Sequence, residues 1–138
     1  MTFLRGACLC GDVRFEIRGD LGTITLCHCG TCRKAQGSAF AAAAPVRADD
    51  FVLLGGQGSL TSYESSPGKE RVFCSRCGSP IFSRRASKAE FVRVRLGALD
   101  GPVGRRPDCH IFASSRADWD DHLDALPEFD AFEPGRRS

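Results

Sequence analysis

Three cysteines stand within six positions, in Cys27-His28-Cys29-Gly30-Thr31-Cys32, and two cations, Arg33 and Lys34, follow at once. Sulfurs this close can grip one soft metal ion from one side. A tetrahedral zinc held by three protein ligands keeps a fourth position for water or substrate, the arrangement of catalytic rather than structural sites. The fold must bring this run into a tight turn and must also find a use for Cys8, Cys10, Cys74, Cys77 and Cys109.

The surroundings of those thiols narrow what they are for. The opening Met1-Thr2-Phe3-Leu4-Arg5-Gly6 has no apolar run of signal-peptide length, and no stretch approaches the ~20 apolar residues of a membrane span. A cytoplasmic protein is expected. That compartment is reducing, so 8 cysteines in 138 residues point to metal or thiol chemistry rather than to disulfides. The net charge of +2 is too small to predict nucleic acid or an anionic membrane as partner. The length fits a single domain, 1–138, with its own core.

Period-2 alternation dominates the chain. Val13, Phe15 and Ile17 alternate with Arg14, Glu16 and Arg18, a strand with one buried face. Gly19-Asp20-Leu21-Gly22 reads as a hairpin turn into a second strand carrying Ile24 and Leu26, so the sulfur run begins where a strand ends. Ser38 to Val46 contains four consecutive alanines but is predicted as strand, because glycine precedes it and proline ends the run. Phe51–Leu54, Leu60–Glu64, Pro80–Phe82 and Cys109–Phe112 add short strands. Phe91–Leu96 sets Val92, Val94 and Leu96 against Arg93 and Arg95, a strand whose arginine face is expected to be wet. Asp118 is suited to cap one helical turn running to Leu123. Many short strands at turn-marked intervals predict an all-β domain with little helix.

Spacing leaves the partition of the cysteines open. Cys8-x-Cys10 and Cys74-x₂-Cys77 together make a four-sulfur set, and a closed site of that kind staples distant strands together. The glycine after each pair, Gly11 and Gly78, suits a knuckle where backbone amides turn toward sulfur. Cys29-x₂-Cys32 with Cys74-x₂-Cys77 is the competing zinc-ribbon grouping, although roughly 40 residues separate the pairs where ~15–20 are usual. Zinc is preferred to an iron–sulfur cluster, which needs four cysteines where the central run offers three. Cys109 lies in an apolar strand pattern and is expected to be a small buried hydrophobe.

These residues resemble a known family, the glutathione-dependent formaldehyde-activating enzymes, which includes relatives of centromere protein V. The matching segments are Gly6-Ala7-Cys8-Leu9-Cys10-Gly11-Asp12-Val13-Arg14-Phe15, the central Cys27–Lys34 run, Tyr63–Gly68, Phe73–Pro80, Gly97–Asp100, His110–Phe112, Trp119 and Leu126-Pro127. The resemblance implies several short coiled antiparallel sheets around cysteine-bound zinc, a fold shared with a small Rab-GTPase accessory protein. It implies a structural zinc on Cys8, Cys10, Cys74 and Cys77 and a catalytic, labile zinc on Cys27, Cys29 and Cys32. The implied activity is carbon–sulfur lyase chemistry, joining glutathione as co-substrate to formaldehyde as S-hydroxymethylglutathione. The same chemistry on another thiol or electrophile, and a non-catalytic zinc module that docks a protein, are the alternatives.

Cations near the sulfurs are the candidates to hold glutathione's carboxylates. Arg33 and Lys34 are nearest in sequence, followed by Lys69 and Arg71 beside the Ser66-Pro67-Gly68 turn. His28, between two ligands in extended chain, is expected to turn its ring away from them and to support rather than ligate. His110 is a candidate proton shuttle or a hydrogen-bonded structural histidine.

Overall fold

The alternation at Phe15 and Ile17 is realised as a strand whose apolar side chains are fully buried. The computed structural model describes residues 3–137, so Met1, Thr2 and Ser138 lie outside it. The strands in chain order are β1 (Leu4–Ala7), β2 (Arg14–Ile17), β3 (Thr25–Cys27), β4 (Ala41–Arg47), β5 (Phe51–Gly55), β6 (Leu60–Ser66), β7 (Lys69–Cys74), β8 (Pro80–Arg85), β9 (Phe91–Arg95), β10 (Leu99–Asp100) and β11 (Cys109–Ile111). One α-helix, α1 (Gly30–Gln36), interrupts them. The architecture is mostly β, as expected.

The strands form two sheets. One is four-stranded, in the order β10-β1-β2-β5; the other is seven-stranded, β11-β3-β4-β9-β8-β7-β6. Every pairing is antiparallel except β11 with β3, which is parallel. The main core joins the two sheets. Phe15 stacks on Phe51 at 4.8 Å, and Phe51 meets Phe82 edge-on at 5.0 Å. Burying one such aromatic or branched side chain stabilises the fold by about 1.5–3 kcal/mol relative to exposure.

Three local expectations change. Gly19–Gly22 is not a hairpin turn, because β2 pairs with β1 and β5 while β3 lies in the other sheet. The segment carries the chain from sheet to sheet, held by Gly22 N–H donating to the Pro45 carbonyl at 2.9 Å. The turn expected after Cys29 is a helix of 7 residues, closed by Gly37 in the left-handed conformation at φ 60°. The helical turn expected at Asp118–Leu123 is absent; a short 3₁₀ turn at Leu123–Ala125 follows it.

Register in the seven-stranded sheet sorts residues onto two faces. Val72, Phe82, Val94 and Ala44 lie side by side in one row on the core face. One residue along, Arg71, Ser83, Arg93 and Pro45 form a row on the opposite face. Parallel to it run Arg95, Ala43 and Thr25, and then Ala41, Cys27 and Ile111. The alanine run of β4 therefore sits between the Cys27 thiol on β3 and the arginines on β9. Its small side chains leave a trough where larger ones would fill the sheet surface.

Candidate functional site

Two groups of thiols assemble. Cys8, Cys10, Cys74 and Cys77 bring their sulfurs within 4.8 Å of one another, with Cys8–Cys10 at 3.5 Å and Cys10–Cys74 at 3.9 Å. Four sulfurs each about 2.3 Å from a tetrahedral zinc stand about 3.8 Å apart, so the cluster fits that ion. Gly11 and Gly78 follow the two pairs at φ +80°, a conformation other residues adopt at a cost. Their amides close the knuckles on the carbonyls of Cys8 and Cys74 at 3.0 and 2.7 Å. Val13 N–H donates to Cys8 Sγ at 3.2 Å.

The second group is Cys27, Cys29 and Cys32, again within 4.8 Å. Cys27 ends β3, Cys29 caps α1 and Cys32 lies in its first turn. The cap is a sulfur: Cys32 N–H donates to Cys29 Sγ at 3.3 Å. Among the described residues no histidine, carboxylate or further cysteine joins this group. Three thiols so close cannot all ionise without a cation. Burial pushes the Cys27 thiol up to about 12. Burial also opposes ionisation of Cys32, but hydrogen bonds from Arg71 and the neighbouring thiols outweigh it and lower its pKa. A soft divalent ion resolves that conflict, so the donor set suits zinc.

These three thiols open onto a cavity of about 790 Å³. Its floor is the arginine face of the seven-stranded sheet. Arg71 Nη2 lies 3.7 Å from Cys32 Sγ, and its Nε donates to Ser65 Oγ at 3.0 Å. Arg93 donates to Thr25 Oγ1 at 2.8 Å. Arg95, only 5% exposed, donates to Gln36, Ser83 and the Arg93 carbonyl. Burial, with the charge of Arg71 beside it, lowers the Arg95 pKa to about 10, which still leaves it charged at neutral pH. Burial, Arg85 and Arg71 lower Lys69 in the same way. Ile111, Phe112 and Phe91 supply apolar wall.

Several expected residues stand elsewhere. Arg33 and Lys34 do not line this cavity. The helix turns Cys32 inward and carries the next two residues away, leaving Lys34 exposed and Arg33 half-buried. Lys69 and Arg71 do line it, as do Arg93 and Arg95, whose face was expected to be wet. Cys109 is exposed rather than buried, because β11 is the edge strand of its sheet. His28 is fully buried, on the face opposite the cavity. Its Nε2 is 2.8 Å from His110 Nδ1, and its Nδ1 is 3.5 Å from Asp120 Oδ2. Burial, then the charge of Arg116, lowers its pKa, so the ring is neutral at pH 7.

Comparison with known proteins points one way. The family model described as glutathione-dependent formaldehyde-activating enzyme matches residues 3–115. A Halomonas elongata protein with the provisional name glutathione-dependent formaldehyde-activating enzyme is 33% identical over 125 residues, covering 84% of this chain and 78% of that protein. An uncharacterised lyase of Schizosaccharomyces pombe is 29% identical over 124 residues, covering 83% and 88%. The crystal structure of a Rhodobacter sphaeroides protein superposes with a TM-score of 0.61 at 29% identity, covering 75% of this chain and 97% of that one. No helix of the described residues is long and apolar enough to cross a membrane.

Proposed function

The chain belongs to the glutathione-dependent formaldehyde-activating enzyme family, and from that premise we propose that it is a carbon–sulfur lyase that joins and separates a thiol and an aldehyde. The family and the named relatives support an enzyme of the glutathione–formaldehyde type. One observation carries the lyase reading: a three-thiol group with no fourth protein ligand among the described residues opens directly into a cation-lined cavity.

Zinc held by Cys27, Cys29 and Cys32 would supply an open coordination position at which a thiol is kept as its thiolate. The protein's own groups do the rest. Arg71, against Cys32 Sγ, stabilises negative charge on sulfur. Lys69 and Arg85, one row farther along the same face, and Arg93, across the sheet in the row of Arg71, hold the carboxylates of glutathione. The trough over Ala41 and Ala43 leaves room for the peptide between those anchors. Phe112 and Ile111 exclude water from the sulfur end. Cys8, Cys10, Cys74 and Cys77 hold the structural ion and take no part in the reaction.

The test is exchange between formaldehyde and S-hydroxymethylglutathione, followed by magnetisation-transfer NMR against the uncatalysed background. The zinc-loaded protein is expected to accelerate exchange, and glutathione is expected to shift the visible spectrum of the cobalt-substituted protein. A rate equal to background, with an unchanged cobalt spectrum, rejects the lyase and leaves a zinc-stapled binding module.

A further inference from the structure

The cavity carries more positive charge than an adduct of glutathione and formaldehyde can use. Seven basic residues line it, and Glu90 is the one acidic residue on its wall. Among the described residues only Arg84 of the seven has a carboxylate partner, Glu70 at 3.2 Å. Arg84, Arg85 and Lys88 are exposed, but Arg95 is buried and Lys69, Arg71 and Arg93 are half-buried. Cations withdrawn from water without counter-charge are costly, and proteins keep them where a ligand supplies the anion. Glutathione brings two carboxylates, both several bonds from its sulfur. With that sulfur at the three cysteines, they reach Lys69 and Arg85, one row beyond Arg71, and Arg93, across the sheet in the row of Arg71.

Lys88 is exposed to solvent, and Arg71 and Arg95 remain on the sulfur side of the cavity: Arg71 bonds Cys32 Sγ, and Arg95 lies in the row next to that of Cys27. Arg71 has Nη2 at 3.7 Å from Cys32 Sγ, while its Nη1 is enclosed with no acceptor from the protein. Arg95 lies behind it, buried and bonded only to neutral groups. A guanidinium N–H left over beside the reacting sulfur, with a second buried cation behind it, calls for an anionic acceptor within about three bonds of that sulfur. The formaldehyde adduct offers one neutral hydroxyl oxygen there and hydrogen in the remaining places, whereas a carbonyl carbon that also bears a carboxylate adds an anion whose two oxygens match the guanidinium fork.

We propose that the carbonyl substrate is an oxo acid, an aldehyde with a carboxylate on its carbonyl carbon, and that Arg71 with Arg95 behind it is the subsite for that carboxylate. This deepens the lyase reading and rests on it. The thiol sulfur bonds to the carbonyl carbon as the C=O π pair moves onto oxygen, and the thiol proton ends on that oxygen. The product is RS–CH(OH)–COO⁻; nothing is oxidised or reduced, and the reverse step returns both reactants.

The experiment uses the zinc-loaded full chain and two readouts. Calorimetry compares S-carboxymethylglutathione, a stable mimic of the oxo-acid adduct, with S-methylglutathione. The carboxymethyl compound is expected to bind at least about tenfold tighter, and Arg71→Gln to reduce that ratio to about twofold or less. Arg71→Lys retains part of the preference, since it keeps the charge and loses the fork. Equal affinities in the wild type overturn the proposal, whether or not the variants fold. Exchange is then measured with glyoxylate and with formaldehyde. Faster exchange with glyoxylate supports the oxo acid. Acceleration of formaldehyde exchange alone rejects it and leaves the lyase reading standing. Acceleration of neither rejects both.

Discussion

The two thiol groups use the same chemistry at opposite sequence ranges. Cys10 and Cys74, 64 positions apart, meet at 3.9 Å across two knuckles. Cys27, Cys29 and Cys32 come from one strand end and the helix turn that follows it. A cation in the first group would close a long loop and join Cys8, beside the four-stranded sheet, to Cys74 at the end of β7 in the other sheet. In the second it would close only a few residues, of which Cys27 is already placed by pairing with β4 and β11, and Cys29 and Cys32 by the cap and first turn of α1. Loop-closure entropy makes the long link matter to folding and the short one nearly irrelevant to it. The short group is thus free to keep a coordination position open, while the long one has no reason to.

Breaking the long link should have the largest effect. Cys74→Ser removes a fully buried sulfur from the four-thiol set. The expected loss exceeds about 4 kcal/mol, the range of mutations that abolish a metal site. The protein should be insoluble or show no cooperative melt by circular dichroism. Cys29→Ser should instead give a folded chain that binds one equivalent less zinc by mass spectrometry. Its exchange activity should fall more than about 100-fold, since even changes to groups behind a ligand cost 10–100-fold. Matching loss of folding in both variants would erase the distinction between the groups.

That contrast was half legible in the residues themselves. Clustering of Cys27, Cys29 and Cys32 follows from chain proximity alone, so sequence suffices. Pairing Cys8-x-Cys10 with Cys74-x₂-Cys77 does not follow from spacing, and there the family resemblance, not the pattern, pointed to the set that the structure brings together. The alanine run was readable as strand from Gly37 and Pro45, yet its purpose as trough depends on what pairs beside it. Alternation at Arg93 and Arg95 reveals a polar face but not whether that face meets solvent or closes over a cavity, which is set by β7 and α1 far away in sequence. The same gap hid the sheet-to-sheet role of Gly19–Gly22, since glycine-rich turns look alike in hairpins and crossings. Helix α1 escaped notice because it is short and its cap is a cysteine rather than serine, threonine or aspartate.

A smaller effect should sharpen the account of the open group. Arg93→Gln keeps a partner for Thr25 Oγ1 and removes one cation from the cavity floor. The KM for glutathione should rise about tenfold or more, the worth of one hydrogen bond to a charged group, with kcat little changed. Steady-state exchange rates across glutathione concentrations separate the two constants. A fall in kcat at constant KM would place Arg93 at the reacting atoms instead of at a carboxylate of the substrate.

The smallest effect belongs to the closed side of the molecule. Glu16 on β2 accepts from Arg18 Nε at 2.6 Å and from Arg5 Nε at 3.3 Å. Arg18 foremost, against the opposing pull of burial and with help from Arg5, holds the Glu16 carboxyl below its ordinary value. A carboxyl with a depressed folded-state pKa adds stability that is fully present above its unfolded pKa of about 4.3 and disappears as pH falls through the folded value. Wild type should therefore lose melting temperature between about pH 5 and pH 3 faster than Glu16→Gln, which has no such proton to take up. Thiols and any bound zinc also respond to acid, but they do so equally in both proteins, so the difference between the two melting curves isolates Glu16. Parallel curves would mean that the Arg5–Glu16–Arg18 group is as strong in the unfolded chain as in the folded one. Folding would then owe nothing to it on the side of the molecule where the four thiols gather.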